Sequence, residues 1–226
     1  MSRNLKVRII VGIGMLIVAV VSLYTFNGFP FKILYTLFAL MAAIELFSFF
    51  TKKVTTLGMI LAVIELIFLV GSIIFMTRTD LHDFWYIVLG VCGYDTCAYI
   101  FGKLFGGKIF GKSRPFPSIS KNKTWEGTIF GIVCSMLAVG VYMAVTKEDD
   151  LFFLFCGPLA VIGDLFESYL KRQFHVKDSN EIVFKLKFFR GLEYLVGGSE
   201  GHGGFLDRLD SIAFASSVLL LLGYIF

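Results

Sequence analysis

Apolar runs dominate this chain and divide it into segments of membrane-spanning length. A helix needs ~17–25 apolar residues to cross a bilayer, and seven segments of about that length emerge. They cover residues 9–26, 31–50, 57–76, 84–101, 128–146, 151–170 and 210–226. No internal repeat, low-complexity tract or separate soluble domain interrupts them. The pattern therefore predicts an all-α fold, a polytopic transmembrane helix bundle of about seven spans.

The connections between these segments differ in length and divide the chain into two regions. Most connections are short, whereas residues 102–127 and 171–209 form two long loops. The first three segments carry no recognisable chemistry, so we interpret residues 1–83 as structural packing helices. Residues 84–226 hold both long loops and are the region in which a catalytic site is expected.

Basic residues predict the orientation of the bundle. If the N-terminus is cytoplasmic and the chain alternates, 18 of the 21 Lys and Arg residues fall on the cytoplasmic side. Only Lys32, Arg78 and Lys147 fall on the other side. Because basic residues concentrate in cytoplasmic loops, the pattern predicts an N-in, C-out protein. A site built from the two long loops would then face the cytoplasm.

The composition agrees with a membrane protein. Of 226 residues, 57% are hydrophobic and 17% are charged, and the mean hydropathy is +0.80. Soluble domains are nearer ~45–50% apolar and ~25% charged. The long apolar run after the basic N-terminus lacks a small-residue cleavage site, which predicts a first transmembrane helix rather than a removed signal. The four cysteines have no metal-ligand spacing and are interpreted as packing residues.

The most polar run adjoins the last apolar segment and reads S-E-G-H-G-G-F-L-D-R-L-D-S over residues 199–211. Asp207 and Asp210 are three apart, so they share one face of a helix. Two carboxylates on one face suit Mg²⁺, and Arg208 offers a fork of donors to phosphate. The run therefore predicts a metal and phosphate site. The alternative is a glycine-rich turn followed by a charged helix cap.

Further polar residues lie within apolar segments. Asp164, Glu167, Ser168 and Lys171 have helical spacing and form one stripe, although a transporter could also carry such a stripe. Asp95 lies inside the fourth segment, where a carboxylate costs ~2.5–3.5 kcal/mol on insertion scales. Such a residue normally faces a cavity or a partner.

The loop at residues 102–127 is rich in glycine and lysine, which favours either a phosphate-binding loop or a basic membrane anchor. Its stretch Gly106–Ser113 matches the G-x-x-x-x-G-K-S string of a Walker A loop. That loop requires a strand–loop–helix unit, and here a transmembrane helix precedes the string. We therefore do not interpret it as a Walker A motif.

Together these motifs resemble the phosphatidate cytidylyltransferase (CDP-diacylglycerol synthase) family over about residues 85–226. The pattern S-x-x-K-R, four residues, K-D is matched by Ser168, Lys171, Arg172, Lys177 and Asp178. The pattern H-G-G-x-x-D-R-x-D is matched by His202, Gly203, Gly204, Asp207, Arg208 and Asp210. Upstream, the D-x-x-A-Y and S-P-[KN]-K-T-W-E-G stretches of the family resemble Asp95 with Ala98 and Tyr99, and Ser120 with residues 122–127.

The resemblance implies an integral membrane enzyme that transfers CMP from CTP to phosphatidate, giving CDP-diacylglycerol and pyrophosphate. It implies Mg²⁺, held by Asp178, Asp207 and Asp210, and leaves a second cation open. The implied catalytic group adds Lys177, His202 and Arg208, with His202 as a positioning or phosphate-contacting residue rather than an obligatory base. The implied substrate-binding residues are Ser168, Lys171, Arg172, Asp95, Ser120, Lys123, Gly203 and Gly204.

The resemblance also implies the setting. The expected partners are CTP, phosphatidate and membrane lipid, with no nucleic acid, and a homodimer is left open. The compact chain without soluble extensions favours the bacterial inner membrane. Glu45 and Glu65 lie in apolar segments and are expected to make packing or dimer-contact hydrogen bonds.

One departure and two alternatives stay open. The spacer between Asp178 and His202 is longer than in the family pattern, and its extra part, at about 181–196, is rich in Phe and basic residues. We hypothesise that this insert lies in the lipid interface. The alternative functions are a CTP-dependent polyprenol or dolichol kinase and a non-enzymatic ion transporter.

Overall fold

Helices account for all regular secondary structure in the part of the chain that the computed structural model describes, residues 21, 25, 28–50, 55–111, 113–147, 150–176 and 204–223. The helices are α1 (Phe29–Phe49), α2 (Thr56–Arg78), α3 (Leu81–Phe105), α4 (Trp125–Thr146), α5 (Cys156–Gln173) and α6 (Leu206–Leu221). A 3₁₀ turn, Leu151–Phe155, leads into α5. Over these residues the predicted all-α fold is confirmed.

Five helical stretches of the described chain are long and apolar enough to cross a membrane. They are Phe29–Phe49, Thr56–Arg78, His82–Phe105, Trp125–Thr146 and Leu151–Gln173. The chain is therefore a multi-pass membrane protein.

Of the two remaining predicted spans, one lies almost entirely outside the described residues and the other corresponds to α6. Segment 9–26 lies outside the described residues except at Val21 and Thr25. Segment 210–226 corresponds to α6, which begins earlier, at Leu206, and has 16 residues. The total of seven spans and the orientation stay predictions.

Local capping residues determine where three helices begin. The Thr55 hydroxyl accepts the Gly58 N–H at 3.0 Å at the start of α2. At the start of α3, Asp80 accepts two backbone N–H groups at 2.8 and 3.0 Å. Thr124 accepts the Gly127 N–H at 3.0 Å and starts α4. Thr and Asp are preferred at these positions because their oxygens satisfy N–H groups that lack a helical partner.

Small residues bring α3 and α4 close together. A β-carbon added at Gly127 would lie 2.7 Å from the Ala98 carbonyl oxygen, and one at Gly131 would lie 2.9 Å from the Ala98 β-carbon. Between the same helices, the Ser135 hydroxyl donates to the Gly90 carbonyl at 2.6 Å. Close backbone approach and hydroxyl hydrogen bonds are the usual means by which membrane helices associate.

The last described helix, α6, packs in the same way against α5 and α2. A β-carbon at Gly163 of α5 would lie 2.8 Å from the Phe214 β-carbon and 3.0 Å from the Ser211 α-carbon. The Ser211 hydroxyl donates to the Ala160 carbonyl at 3.2 Å, and the Ser217 hydroxyl donates to the Phe68 carbonyl at 2.6 Å. Helix α6 is thus an internal element of the bundle.

The two predicted long loops leave the bundle from the same end. Lys123 of the first loop pairs with Asp164 of α5, about two turns before Lys171, and Lys171 pairs with Asp207 at the start of α6. At the opposite end, Lys32 donates to the Thr77 and Thr79 carbonyls at 3.2 and 3.0 Å. This agrees with two long loops on one side of the membrane.

The close contact at Gly163 generates a prediction. Substituting Gly163→Ala places a methyl group against α6 and should destabilise the protein by about 1–3 kcal/mol, as overpacking does. Gly140→Ala in α4 is the matched control, since a β-carbon there meets no atom within 4 Å. Thermal unfolding in detergent should show a lower midpoint for Gly163→Ala only. Equal midpoints for the two variants would contradict this packing.

Candidate active site

Lys171 joins the two halves of the predicted site. Its Nζ lies 2.6 Å from Glu167 Oε2, one turn earlier on α5, and 2.5 Å from Asp207 Oδ1 on α6. Glu167 is 1% exposed, so this three-residue cluster lies inside the end of the bundle. The structure thus brings together the α5 stripe and the D-R-L-D helix, which are separated by more than thirty residues in the sequence.

The start of α6 is held by two carboxylates. Asp207 Oδ2 accepts the Gly204 N–H at 2.7 Å. Glu45 of α1 accepts the Phe205 N–H through Oε1 and the Leu206 N–H through Oε2, both at 3.0 Å. Negative charge at a helix N-terminus is favourable because the N–H groups there lack helical partners.

The apolar setting of Glu45 predicts a packing or dimer-contact hydrogen bond, and the described contacts are packing bonds within the chain. Their position at the candidate site is not predicted by the sequence. The available signal was the carboxylate in an apolar segment, which normally requires a partner. The sequence does not say which partner that is.

A cavity of about 400 Å³ lies where α3, α4 and α5 meet, and Asp164 in its lining is about one helical turn from Glu167 of the cluster. Its lining includes both charged and aromatic residues, among them Tyr94, Asp95, Tyr99, Lys103, Lys123 and Asp164. Asp95 therefore faces a cavity, as the insertion cost suggested. The mixture of cations, carboxylates and tyrosines can bind a polar ligand that carries phosphate and a flat ring.

Lys123 is the fixed cation of this cavity. It forms an ion pair with Asp164, and its Nζ lies 5.7 Å from the centroid of the Tyr94 ring. Burial disfavours the charged form of Lys123, but the Asp164 carboxylate and the Tyr94 hydroxyl together outweigh burial and raise the pKa of Lys123. Lys123 is therefore protonated at neutral pH and neutralises Asp164.

The glycine-rich loop after α3 binds a carboxylate of the protein itself. Glu126 Oε1 accepts the N–H groups of Gly107, Ile109 and Phe110 at 3.0, 3.0 and 2.9 Å. Gly107 and Gly111 have φ values of 79° and 76°, which favour glycine. Successive N–H groups that converge in this way form an anion-binding nest. Since Glu126 fills the nest, the structure gives no support to a Walker A interpretation.

The other predicted site residues are distributed as follows. Asp210 is buried, and its Oδ1 accepts the Ser211 N–H at 2.6 Å. Ser168 and Ser120 are half-buried, whereas Arg172 and Arg208 are exposed at helix ends. The remaining four, Lys177, Asp178, His202 and Gly203, lie outside the described residues, as does the insert at 181–196.

The donor atoms of the cluster suit a hard cation, although the described residues alone form no complete site. Among them, no group of three or more His, Cys, Asp or Glu side chains converges to hold a metal. Of the predicted ligands, Asp207 and Asp210 are described and Asp178 is not. Within the described chain, Glu167 Oε1 is buried with no hydrogen-bond partner. Carboxylate oxygens are the donors that Mg²⁺ prefers, so the residue types fit.

Comparison with known proteins adds to this geometry. A model of the cytidylyltransferase family matches residues 72–184, which is half of the chain. The chain belongs to this family. The matched range of this cytidylyltransferase family member includes α3, α4 and α5, and therefore the cavity and Lys171.

Individual relatives agree with the family model. A Helicobacter pylori protein named phosphatidate cytidylyltransferase is 40% identical over 129 residues, which cover 54% of this chain and 42% of that protein. A Staphylococcus haemolyticus protein of the same name is 37% identical over 155 residues, covering 66% and 52%. A Staphylococcus aureus protein of that name is 36% identical over 160 residues, covering 65% and 51%. The chain thus spans about half the length of the curated relatives it matches.

The Glu126 contacts generate a prediction about the glycine-rich loop. Substituting Glu126→Ala removes the one oxygen that accepts three backbone N–H groups, and bonds to a charged acceptor are stronger than neutral ones. Amide hydrogen exchange at Gly107, Ile109 and Phe110 should accelerate at least about tenfold, because these amides lose their common acceptor. Thr128→Ala, a buried change in the same turn of α4, should leave these amides protected. Unchanged exchange in Glu126→Ala would show that Glu126 does not hold the loop.

Proposed function

We propose that this membrane protein transfers CMP from CTP to phosphatidate and so makes CDP-diacylglycerol and pyrophosphate for phospholipid biosynthesis. The observation that carries the proposal is the Glu167–Lys171–Asp207 cluster, which joins both parts of the resemblance beside a charged cavity. Membership of the cytidylyltransferase family supports it. The names of the relatives favour it over a lipid kinase or a transporter.

The position of the cluster suits one lipid and one soluble substrate. It lies where membrane-spanning helices end, so the phosphate of a bilayer lipid can reach it from the side. The cavity at the same end can admit a nucleotide from water. Lys103, Lys123 and the exposed Arg208 offer positive charge to a triphosphate, and Arg donors match phosphate oxygens in pairs.

The proposed reaction requires positioning and charge neutralisation more than proton transfer. An oxygen of the lipid phosphate attacks the α-phosphorus of CTP, and the bond from that phosphorus to the bridging oxygen of the β-phosphate breaks. Pyrophosphate leaves with the bonding electrons. Because the lipid phosphate is already ionised near neutral pH, no strong base is needed, and His202 is assigned a positioning role.

The residues of this chain divide that work. Lys171 fixes the Asp207 carboxylate, and Arg208 engages phosphate from the exposed side of the same helix turn. Arg172, Lys177, Ser168 and Ser120 add donors for phosphate oxygens. Such a site acts chiefly by orienting both substrates and stabilising the charge that develops between them.

Mg²⁺ is part of the proposal. Asp207, Asp210 and Asp178 would hold it, and their oxygen donors fit its preference. When bound, Mg²⁺ offsets the negative charge of the triphosphate and of the leaving pyrophosphate. A second cation is compatible with the remaining carboxylate of the cluster, Glu167, whose Oε1 has no hydrogen-bond partner among the described residues.

We further infer that the protein resides in a bacterial inner membrane with this end of the bundle facing the cytoplasm. The concentration of Lys and Arg in the two long loops supports the orientation, and the relatives named above are bacterial. CTP is available on that side. A homodimer is retained as part of the proposal.

The decisive assay uses purified protein, CTP labelled at the α-phosphate and phosphatidate in mixed micelles. Label should enter the lipid fraction while pyrophosphate is released in equal amount. Substituting Asp207→Asn should reduce turnover at least about a hundredfold, as removal of preorganised groups at charged transition states does. The protein should stay folded because Glu167 still neutralises Lys171.

Asp80→Asn is the matched control for this assay. It makes the same chemical change at the opposite end of the bundle, where Asp80 caps α3, and Asn caps helices as well as Asp does. Its turnover should equal that of the unmodified protein. Labelled CDP as the product, with no label on the lipid, would favour a kinase, because a kinase transfers only the γ-phosphate. Full activity of Asp207→Asn would remove Asp207 from the site.

Metal removal supplies an independent test. Chelation by EDTA should abolish CMP transfer, and added Mg²⁺ should restore it, because the triphosphate charge is then offset again. Turnover should be followed at fixed ionic strength, so that salt screening does not imitate the effect. Unchanged turnover in EDTA would contradict the assignment of Mg²⁺.

A further inference from the structure

We propose that Glu45 of α1 is a positioning residue for CMP transfer, because it fixes the start of α6 and with it Asp207 and Asp210. The inference rests on the proposed function. It assigns a role to a helix that lies outside the range matched by the family model. It also gives a task to the N-terminal region, which the sequence had indicated to be packing only.

The Glu45 carboxylate of α1 caps the N-terminus of α6 through both of its oxygens. Each oxygen of the Glu45 carboxylate accepts one backbone N–H, from Phe205 and from Leu206, at 3.0 Å. Phe205 occupies the cap position of α6 and has no side-chain acceptor of its own. Glu45 therefore does from a distance of 160 residues what a local Ser, Asp or Asn does at other helix starts.

Burial makes this contact strong. Glu45 is 4% exposed and Leu206 is fully buried, so water does not replace the carboxylate at these N–H groups. A hydrogen bond to a charged acceptor is roughly twice as strong as a neutral one, and the negative charge complements the helix N-terminus. The aromatic ring of Phe38, also on α1, packs 5.4 Å from the ring of Phe205.

The cap controls residues that the reaction uses. Asp207 follows Leu206 directly, and its two oxygens bind Lys171 and the Gly204 N–H. The turn at residues 204–207 is therefore held by α1 on one side and by α5 on the other. Loss of the Glu45 bonds leaves only the α5 side, and a displacement of about 1 Å can cost as much as a hundredfold in rate.

The experiment compares Glu45→Gln and Glu45→Asp with Ser72→Ala. Gln keeps the size of Glu but turns one acceptor oxygen into a donor, so one backbone N–H loses its partner. Asp keeps the charge but is one methylene shorter. Ser72→Ala is the control, since Ser72 is buried in the neighbouring α2 and bonds to a carbonyl of its own helix.

Two readouts are taken on the full chain in nanodiscs. Hydrogen exchange of a peptide spanning residues 204–209 reports the cap, and kcat and KM for CTP report the reaction. Glu45→Gln should accelerate exchange about tenfold and lower kcat about tenfold or more, with KM for CTP within about threefold, since the substrate contacts remain. Glu45→Asp should recover part of both losses. Ser72→Ala should match the unmodified protein.

The outcomes separate this proposal from the proposed function. An active unmodified protein together with a fully active Glu45→Gln overturns the positioning role alone, as does unchanged exchange at residues 204–209. If the unmodified protein transfers no CMP, the proposed function fails and the positioning role fails with it. Should Glu45→Gln not fold, Glu45→Asp decides, because its intermediate exchange and kcat are required by the proposal.

Discussion

The ion pairs of Lys171 are the interaction on which the rest of the site depends. One ammonium group lies within 2.6 Å of carboxylate oxygens from two helices, at the end of a bundle made largely of apolar residues. A charge left unpaired there would cost several kcal/mol, so both carboxylates require Lys171 and Lys171 requires at least one of them. Glu167 and Lys171 lie on α5, and Asp207 lies on α6. The three side chains can meet only when the two helices pack in one register. Electrostatics thus fixes the relative position of the two helices more narrowly than apolar packing would.

The same constraint explains why three further carboxylates, each at least partly buried, are tolerated. Glu45 holds the start of α6, Glu126 holds the glycine-rich loop, and Asp164 pairs with Lys123. In each case an acidic side chain satisfies backbone N–H groups or a cation that would otherwise be exposed to apolar surroundings. Irregular backbone near a membrane is stable where protein groups satisfy it. The carboxylates of this chain therefore support the polar loops as well as the chemistry proposed for them.

Much of this organisation could be predicted from the sequence, and the part that could not has a physical reason. Helical periodicity predicts that Asp207 and Asp210 share a face, and hydropathy predicts the helices from α1 to α5. Hydropathy places the start of α6 too late because the first turn of that helix is polar, and its N-terminus is fixed by Glu45 from another helix. The role of Glu126 could not be predicted either. Every non-proline residue has a backbone N–H group, so a side chain that accepts such groups does not restrict the residue types of its partners, and the sequence carries no signal of the contact. Motif spacing indicated which residues form the site. The contacts that hold those residues together are visible only in the three-dimensional structure.

Packing and charge act at this site as one constraint. The side chain of Lys171 reaches Asp207 because α5 and α6 approach closely at Gly163, where a β-carbon would already be within 3.0 Å of Ser211. Gly163 lies about two turns from Lys171 on α5, and Ser211 lies about one turn from Asp207 on α6, so a separation of the helices at this crossing also displaces the ion pairs. Conversely, the ion pairs keep the helix ends together and protect the crossing from opening. A substitution at the Gly163 crossing should therefore weaken the ion pairs, and a substitution in the ion pairs should weaken the crossing. The small residues that let the helices approach closely thus keep the polar site rigid.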